Sequence, residues 1–219
     1  MPGIEKNPSA PQVDAAIIAQ LRDIAVALLS DQLHRNCGSV GLIPYHRPAP
    51  MAGTAVTVKT RGGDNLAILR AFDFCRPGDV MVVDAGGDIS NALVGGIITL
   101  GAAKAGHAGM VLDGAIRDVA EIREREFPVY ARGINHRGPY KDGPGEINVP
   151  VTIGGMVVKP GDIIVGDQDG LLAFDPSLAA TVIAGALKQR DAEEATIKSI
   201  LEGRWDRSAA DRLEARCLN

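Results

Sequence analysis

Between Val13 and Arg35 the apolar residues Ile17, Ile18, Leu21, Ile24, Ala25, Leu28 and Leu29 recur at helical spacing, with polar side chains between them. That period predicts one long amphipathic helix with a single buried stripe. The proline-rich run from Ile43 to Pro50 ends it, because proline lacks the amide that a helix interior needs. AGTAVTVKT (52–60) alternates and is β-branched, DNLAILRAFDF (64–74) returns to helical spacing, and PGDVMVVDA (77–85) is a strand entered through a Pro-Gly turn. A helix is predicted from Asn91 to Ala105, a strand at GMVLDG (109–114), a short helix from Asp118 to Glu126 and a strand at FPVYARG (127–133). This alternation implies an α/β fold with a mainly parallel sheet covered by helices. From Asn148 to Phe174 the character changes to short strands broken by Gly, Pro and Asp turns, and a final helix runs from Pro176 to Glu202.

Length and composition narrow the class. At 219 residues one domain is expected, with a polar tail at 1–12, an α/β domain at 13–203 and a second tail at 204–219. With a net charge of −4 and no Lys/Arg run longer than a dipeptide, duplex nucleic acid is a poor partner on electrostatic grounds. No apolar run reaches the roughly 20 residues of a membrane span, and the first residues lack a signal-peptide pattern. Cys37, Cys75 and Cys217 are widely spaced with no CxxC, which suits a reducing cytoplasm rather than a disulfide framework or zinc knuckle. His34, His46, His107 and His136 are scattered without an HExxH pair, and no GxSxG supports a serine nucleophile.

The segment 84–118 carries the chemistry. Gly95-Gly96 opens a helix whose unpaired N–H groups and positive dipole end suit a carboxylate; the same glycines would also allow close packing. Arg117 and Asp118 follow a buried strand, at the edge where parallel sheets bind ligands. Arg offers a bidentate fork for a carboxylate or enolate, and Asp a hard oxygen for Mg²⁺ or Mn²⁺. The alternative is structural, with Asp118 capping the next helix and Arg117 paired to Glu121. VVDAGGD, with Asp113 beyond it, also has the look of a methyltransferase turn, although no second such motif follows and GxGxxG is absent.

Taken in order, MAGTAVTV, PGDVMVVDAGGD, the glycine-rich helix start, GMVLDGAIRD and NVPVTIGGMVVKPGDIIVGDQDG resemble the RraA-like family from about Asp31 to Phe174. That family includes 4-hydroxy-4-methyl-2-oxoglutarate aldolases and the regulator of ribonuclease activity A. The resemblance implies a swivelling β/β/α fold of the phosphohistidine-domain type in a single domain, assembled as a homotrimer or homohexamer with sites between subunits. It implies a lyase dependent on Mg²⁺ or Mn²⁺ that cleaves a 4-hydroxy-2-oxo acid to pyruvate, decarboxylates oxaloacetate, or both. The alternative is a non-catalytic, protein-binding regulator. By the same resemblance Arg117 and Asp118 match the pair that binds pyruvate and metal, and Gly95, Gly96, Ile97 and Ile98 match the amides that hold the pyruvate carboxylate. Lys141 matches a lysine, seven residues before the NVPV asparagine, that reaches in from the neighbouring subunit. Glu193, with Glu194 next to it as the alternative, matches an acid on the neighbour's C-terminal helix. One position departs: catalytic members carry an acid with twenty residues between it and the arginine, where this chain has Gly96. Asp88, Asp113 or a neighbour's Glu are the candidates to stand in for it. Aldol cleavage needs a base for the 4-hydroxyl proton and oxaloacetate decarboxylation does not, so the departure bears on the first reaction more than the second.

Overall fold

The computed structural model describes residues 3–35, 37–208, 210 and 214; Cys217 lies outside them, as does most of the second predicted tail. In chain order the elements are β1 (Ile4–Lys6), α1 (Ala15–Arg22), α2 (Val26–Gln32), β2 (Ile43–Pro44), β3 (Met51–Thr60), α3 (Leu66–Ala71), β4 (Asp79–Asp84) and β5 (Ala92–Val94). There follow α4 (Gly96–Lys104), β6 (Gly109–Ile116), α5 (Val119–Arg123), β7 (Val129–Ile134), β8 (Gly145–Ile147), β9 (Val151–Ile153), β10 (Met156–Val158), β11 (Ile163–Gly166), β12 (Leu171–Phe174) and α6 (Ala179–Leu201).

The centre is the parallel run β3-β4-β6-β7, as the alternation predicted. The flanks make the sheet mixed. β3 is ten residues long and has β4 along one edge, while β11 pairs antiparallel with its start and β8 with its end. Residues 4–6, placed in a tail by the sequence reading, join the sheet as β1 beside β8.

Side chains of the central strands point alternately to two covered faces, which is why VMVV and GMVL are apolar throughout. Met81, Val83, Met110 and Leu112 meet α3 and α5 residues such as Ile68 and Ile122. Val80, Val82 and Val111 face the β9–β10 hairpin through Val151, Ile153 and Met156. A further core joins α1, α2 and α6 to β11 and β12, through Leu21, Leu29, Val182 and Ile183 packed on Ile163 and Phe174.

Three predicted elements differ. The long helix from Val13 to Arg35 is two helices, because Ala25 is extended and Val26 N–H is capped by Asp167 Oδ2 at 2.8 Å, from 141 residues away. Periodicity cannot register that partner, since Ile24 and Leu28 stay buried on either side of the break. The helix from Asn91 to Ala105 begins only at Gly96; Ala92–Val94 is instead a buried strand paired with Ala115 and Ile116. β6 accordingly runs two residues past GMVLDG, to Ile116, and delivers Arg117 and Asp118 directly at its carboxyl end.

Candidate active site

The parallel order of β5 and β6 puts the carboxyl ends of both strands together, so Gly95 and Arg117 leave the sheet side by side, with Arg117 N–H on Val94 O at 3.0 Å. Asp118 then adopts φ 58°, ψ 36°, left-handed values that cost a non-glycine residue about 1–2 kcal/mol. Such a residue persists where its surroundings fix it, commonly at functional sites. The turn aims its carboxylate back at the start of α4, where Oδ2 accepts from Gly96 N–H at 2.9 Å. It makes no side-chain cap on its own helix, so the structural alternative for Asp118 is not the one adopted. Nor does Arg117 pair with Glu121; its Nε is 3.9 Å from Asp118 Oδ2, and Glu121 pairs with Arg125.

Gly95 and Gly96 serve this approach. A Cβ at Gly95 would run into Asp118 Oδ2 and Arg117 Cγ, and a Cβ at Gly96 into Glu121 Oε2. The glycines therefore bring side chains onto the amino end of α4 rather than packing helix on helix.

A cleft of about 400 Å³ opens here, lined by Gly95, Ile97, Ile98, Arg117, Asp118 and Lys141 together with Asn65 and apolar neighbours such as Leu69 and Leu93. It unites six of the residues singled out from sequence, with the difference that Lys141, expected to come from a neighbouring subunit, lines the cleft of its own chain. Glu193 is not among them: it lies on the exposed half of α6, where Oε1 accepts from Gln189 Nε2 at 2.9 Å, and Glu194 is exposed beside it. Asp88 and Asp113 do not stand in for an acid at position 96. Asp88 accepts from Ser90 N–H and sits against Gly62. Asp113 faces the hairpin side of the sheet, where Arg132 Nε and Gly154 N–H hold its two oxygens, and the latter bond is 3.0 Å. With both oxygens engaged, Asp113 is also unsuited to the ribose contact of the methyltransferase reading.

Two residues escaped the sequence reading. Asn65 is buried, donates from Nδ2 to Leu93 O at 3.0 Å, and leaves Oδ1 with no protein partner while lining the cleft. A buried carbonyl oxygen without a donor is costly, which sets Asn65 apart from an ordinary helix cap. Asp64, before it, is fully buried and accepts from Leu66, Asp142 and Gly143 N–H, which ties the loop bearing Lys141 to the start of α3. The pair resembles an ordinary Asx cap, and only the burial separates it from one.

No helix among the described residues is long and apolar enough to cross a membrane. A protein from Halalkalibacterium halodurans named "Putative 4-hydroxy-4-methyl-2-oxoglutarate aldolase" is 39% identical over 191 residues, 86% of this chain and 90% of its own. An uncharacterized protein from Pseudomonas syringae pv. tomato superposes with TM-score 0.80 at 26% identity, covering 90% of this chain and 93% of that one. The RNA-processing inhibitor RraA from Thermus thermophilis superposes with TM-score 0.63 at 31% identity, covering 69% and 93%. The Aldolase/RraA model of the RraA-like family matches residues 26–173, a span holding the sheet centre, the cleft and both glycines at the start of α4, and the chain belongs to that family.

Proposed function

We propose that this protein is a divalent-metal-dependent lyase that releases pyruvate from a 4-hydroxy-2-oxo acid and decarboxylates oxaloacetate. The observation that carries the reading is the convergence of Arg117, Asp118 and Lys141 on one cleft beside the amino end of α4. The name borne by the Halalkalibacterium halodurans relative supports the aldolase part.

The donor set fits a hard cation that keeps most of its water. Among the described residues no group of three or more His, Cys, Asp or Glu is placed to hold a metal. Mg²⁺ and Mn²⁺ need only one or two carboxylates plus substrate oxygens, and Asp118 supplies one. Bound there, such an ion would act as the Lewis acid that draws electrons toward the 2-oxo group. Arg117 stabilises the enolate oxygen with its planar fork. The N–H groups at Gly96 to Ile98 take the substrate's C1 carboxylate, with Asp118 Oδ2 giving up Gly96 as it arrives. Lys141, across the cleft, takes the charge at the far end of the substrate.

The site is completed in a homotrimer or homohexamer. Ile97 is 87% exposed at the cleft rim, and the outer half of α6, with Glu193, exposes Ile197, Ile200 and Leu201. Apolar side chains in those places suit burial against a second copy, which would bring Glu193 or Glu194 to the neighbour's cleft. A monomer in light scattering at micromolar concentration would overturn this. Free thiols at Cys37 and Cys75 suit a cytoplasmic setting.

The reading is tested by measuring pyruvate from several 4-hydroxy-2-oxo acids and from oxaloacetate with Mg²⁺, with Mn²⁺ and with EDTA. Release that stops with EDTA is expected. No release from any acid under any condition would favour the second reading, a protein-binding regulator without turnover, which draws on the likeness to the Thermus thermophilis inhibitor and on Gly96.

A further inference from the structure

On the hairpin face of the sheet, opposite the cleft, an open hollow of about 580 Å³ lies between the turn that follows β4 and the turn that joins β9 to β10. Two glycine pairs, Gly86-Gly87 and Gly154-Gly155, line it together with Arg132. Arg132 is not a loose surface cation. Its Nε donates to Asp113, whose carboxylate is 7% exposed and is also held by Gly154 N–H at 3.0 Å. Glycines make room for the guanidinium on either side: a Cβ at Gly41 would lie 2.9 Å from Nη1, and one at Gly87 would lie 3.2 Å from Nε. The planar fork is therefore fixed in place, with 30% of the side chain open.

Donors and acceptors in the hollow are not balanced. A guanidinium carries several N–H donors, and Asp113 uses only the one on Nε. Those on Nη1 and Nη2 meet no acceptor among the described residues. The carboxylates are in the contrary state. Both Asp113 oxygens are taken, and Asp84 accepts from Gly86 N–H at 2.9 Å and from Thr152 N–H at 3.3 Å. What the hollow offers is a preorganised fork, and what it lacks is an oxyanion to fill it. Charge narrows the choice. Asp84 and Asp113 lie near a single guanidinium, so a dianionic phosphate would meet about twice the repulsion that a monocarboxylate meets. Space and surface agree: a Cβ at Gly86 or Gly155 would touch nothing, and Val40, 78% exposed at the rim, gives a short carbon chain an apolar contact.

We propose that this hollow binds a short-chain monocarboxylate, with its two oxygens on Nη1 and Nη2 of Arg132. The site is on the other face of the sheet from Arg117 and Asp118 and does not depend on the lyase reading.

Propionate is the probe, titrated into the full chain by calorimetry, with sodium chloride at matched ionic strength as the reference. Saturable binding is expected, with a rise in Tm that the salt does not produce. The backbone amide resonances of Gly86, Gly87, Gly154 and Gly155 should shift along the same titration. Arg132→Lys keeps a charge beside Asp113 but has no planar fork, and should weaken binding about tenfold or more. Propionamide, of the same shape without the charge, should bind about tenfold more weakly to the wild type, a comparison that needs no variant. Binding kept in a folded Arg132→Lys protein and lost in Arg117→Lys would place the carboxylate in the cleft and overturn the proposal. Tighter binding of inorganic phosphate than of propionate would overturn it too, as would a propionate titration that never saturates or leaves the four glycine amides unmoved.

Discussion

Strand β6 serves two Arg–Asp pairs, five residues apart and on opposite faces of the sheet, and they are built in contrary ways. Asp113 is 7% exposed, points toward the hairpin, and has both oxygens taken by Arg132 and Gly154 N–H. Its hydrogen bond and charge lift the Arg132 guanidinium above its usual range. Asp118 is 42% exposed, sits in left-handed backbone, and is 3.9 Å from an Arg117 that is itself 43% exposed. Breaking a buried pair by removing one partner costs about 3–5 kcal/mol, whereas exposed pairs contribute about 0–1 kcal/mol. The first pair therefore holds β6 and β7 to the hairpin, and the second contributes little to the fold. Bonds left open at Arg117 and Asp118, at a backbone cost, are what a ligand can close.

Substitutions at the two aspartates should break this contrast in opposite directions. The largest effect expected is on turnover: Asp118→Ala should abolish pyruvate release and any thermal stabilisation by Mg²⁺ or Mn²⁺ together. Asp118→Gly should do the same to activity yet leave the Tm unchanged or raised, since glycine accepts φ 58° without the cost that Asp bears. Activity surviving both EDTA and Asp118→Ala would remove the metal from the mechanism.

Arg117→Lys comes next. A lysine ammonium keeps the charge but cannot span carboxylate and enolate oxygens with a planar fork. A loss of roughly 2–4 kcal/mol in transition-state stabilisation, read from kcat/KM, is the scale of one preorganised donor. A near-normal value would return Arg117 to a surface role. At the closed pair, Asp113→Ala should cost roughly 3 kcal/mol of stability, at the low end for a buried pair because Arg132 is 30% exposed. Unfolding in urea measures it, and an unchanged midpoint would mean that the two faces are not built differently after all.

How much of this the sequence discloses depends on where each partner lies along the chain. VMVV, GMVL and the Arg117–Asp118 step are legible because an apolar run and the residue after it are local patterns. Gly95-Gly96 is legible as a helix start for the same reason. Asp167 capping Val26 and Ala92–Val94 pairing with β6 are tertiary facts, and periodicity overrode them. Asn65 differs from a common helix cap only in its orphaned oxygen, which a sequence cannot display. Glu121 is the instructive case, because its spacing to Arg125 reads as an ordinary i,i+4 surface pair. What the spacing does not display is its closeness to Gly96, on another helix, where an added Cβ would meet its Oε2.

The smallest expected effect concerns pH and belongs to the packed body rather than the cleft. His46 is buried, edge-on to Tyr130 of β7, and its Nδ1 accepts from Val129 N–H at 3.1 Å, so the ring is neutral with its proton on Nε2 facing Ala49 O. His107 is buried 5.2 Å from the Phe72 ring, and its Nδ1 has no partner. Burial pushes both imidazoles below the usual histidine range, more strongly than the two backbone carbonyl contacts of His46 or the Asp79 charge near His107 raise them. Both therefore bind a proton more readily when unfolded. Their neutral forms leave stability intact above the unfolded value of about 6.5, and it is lost as the pH falls below that value. The Tm should decline from about pH 8 to about pH 5.5. In His107→Phe, which keeps a ring against Phe72 and removes both the orphaned nitrogen and its titration, the Tm at the higher pH should hold and the decline should be shallower. An equal slope in wild type and variant would show that burial of His107 does not govern the acid side, and would move the pH sensitivity away from the packed body.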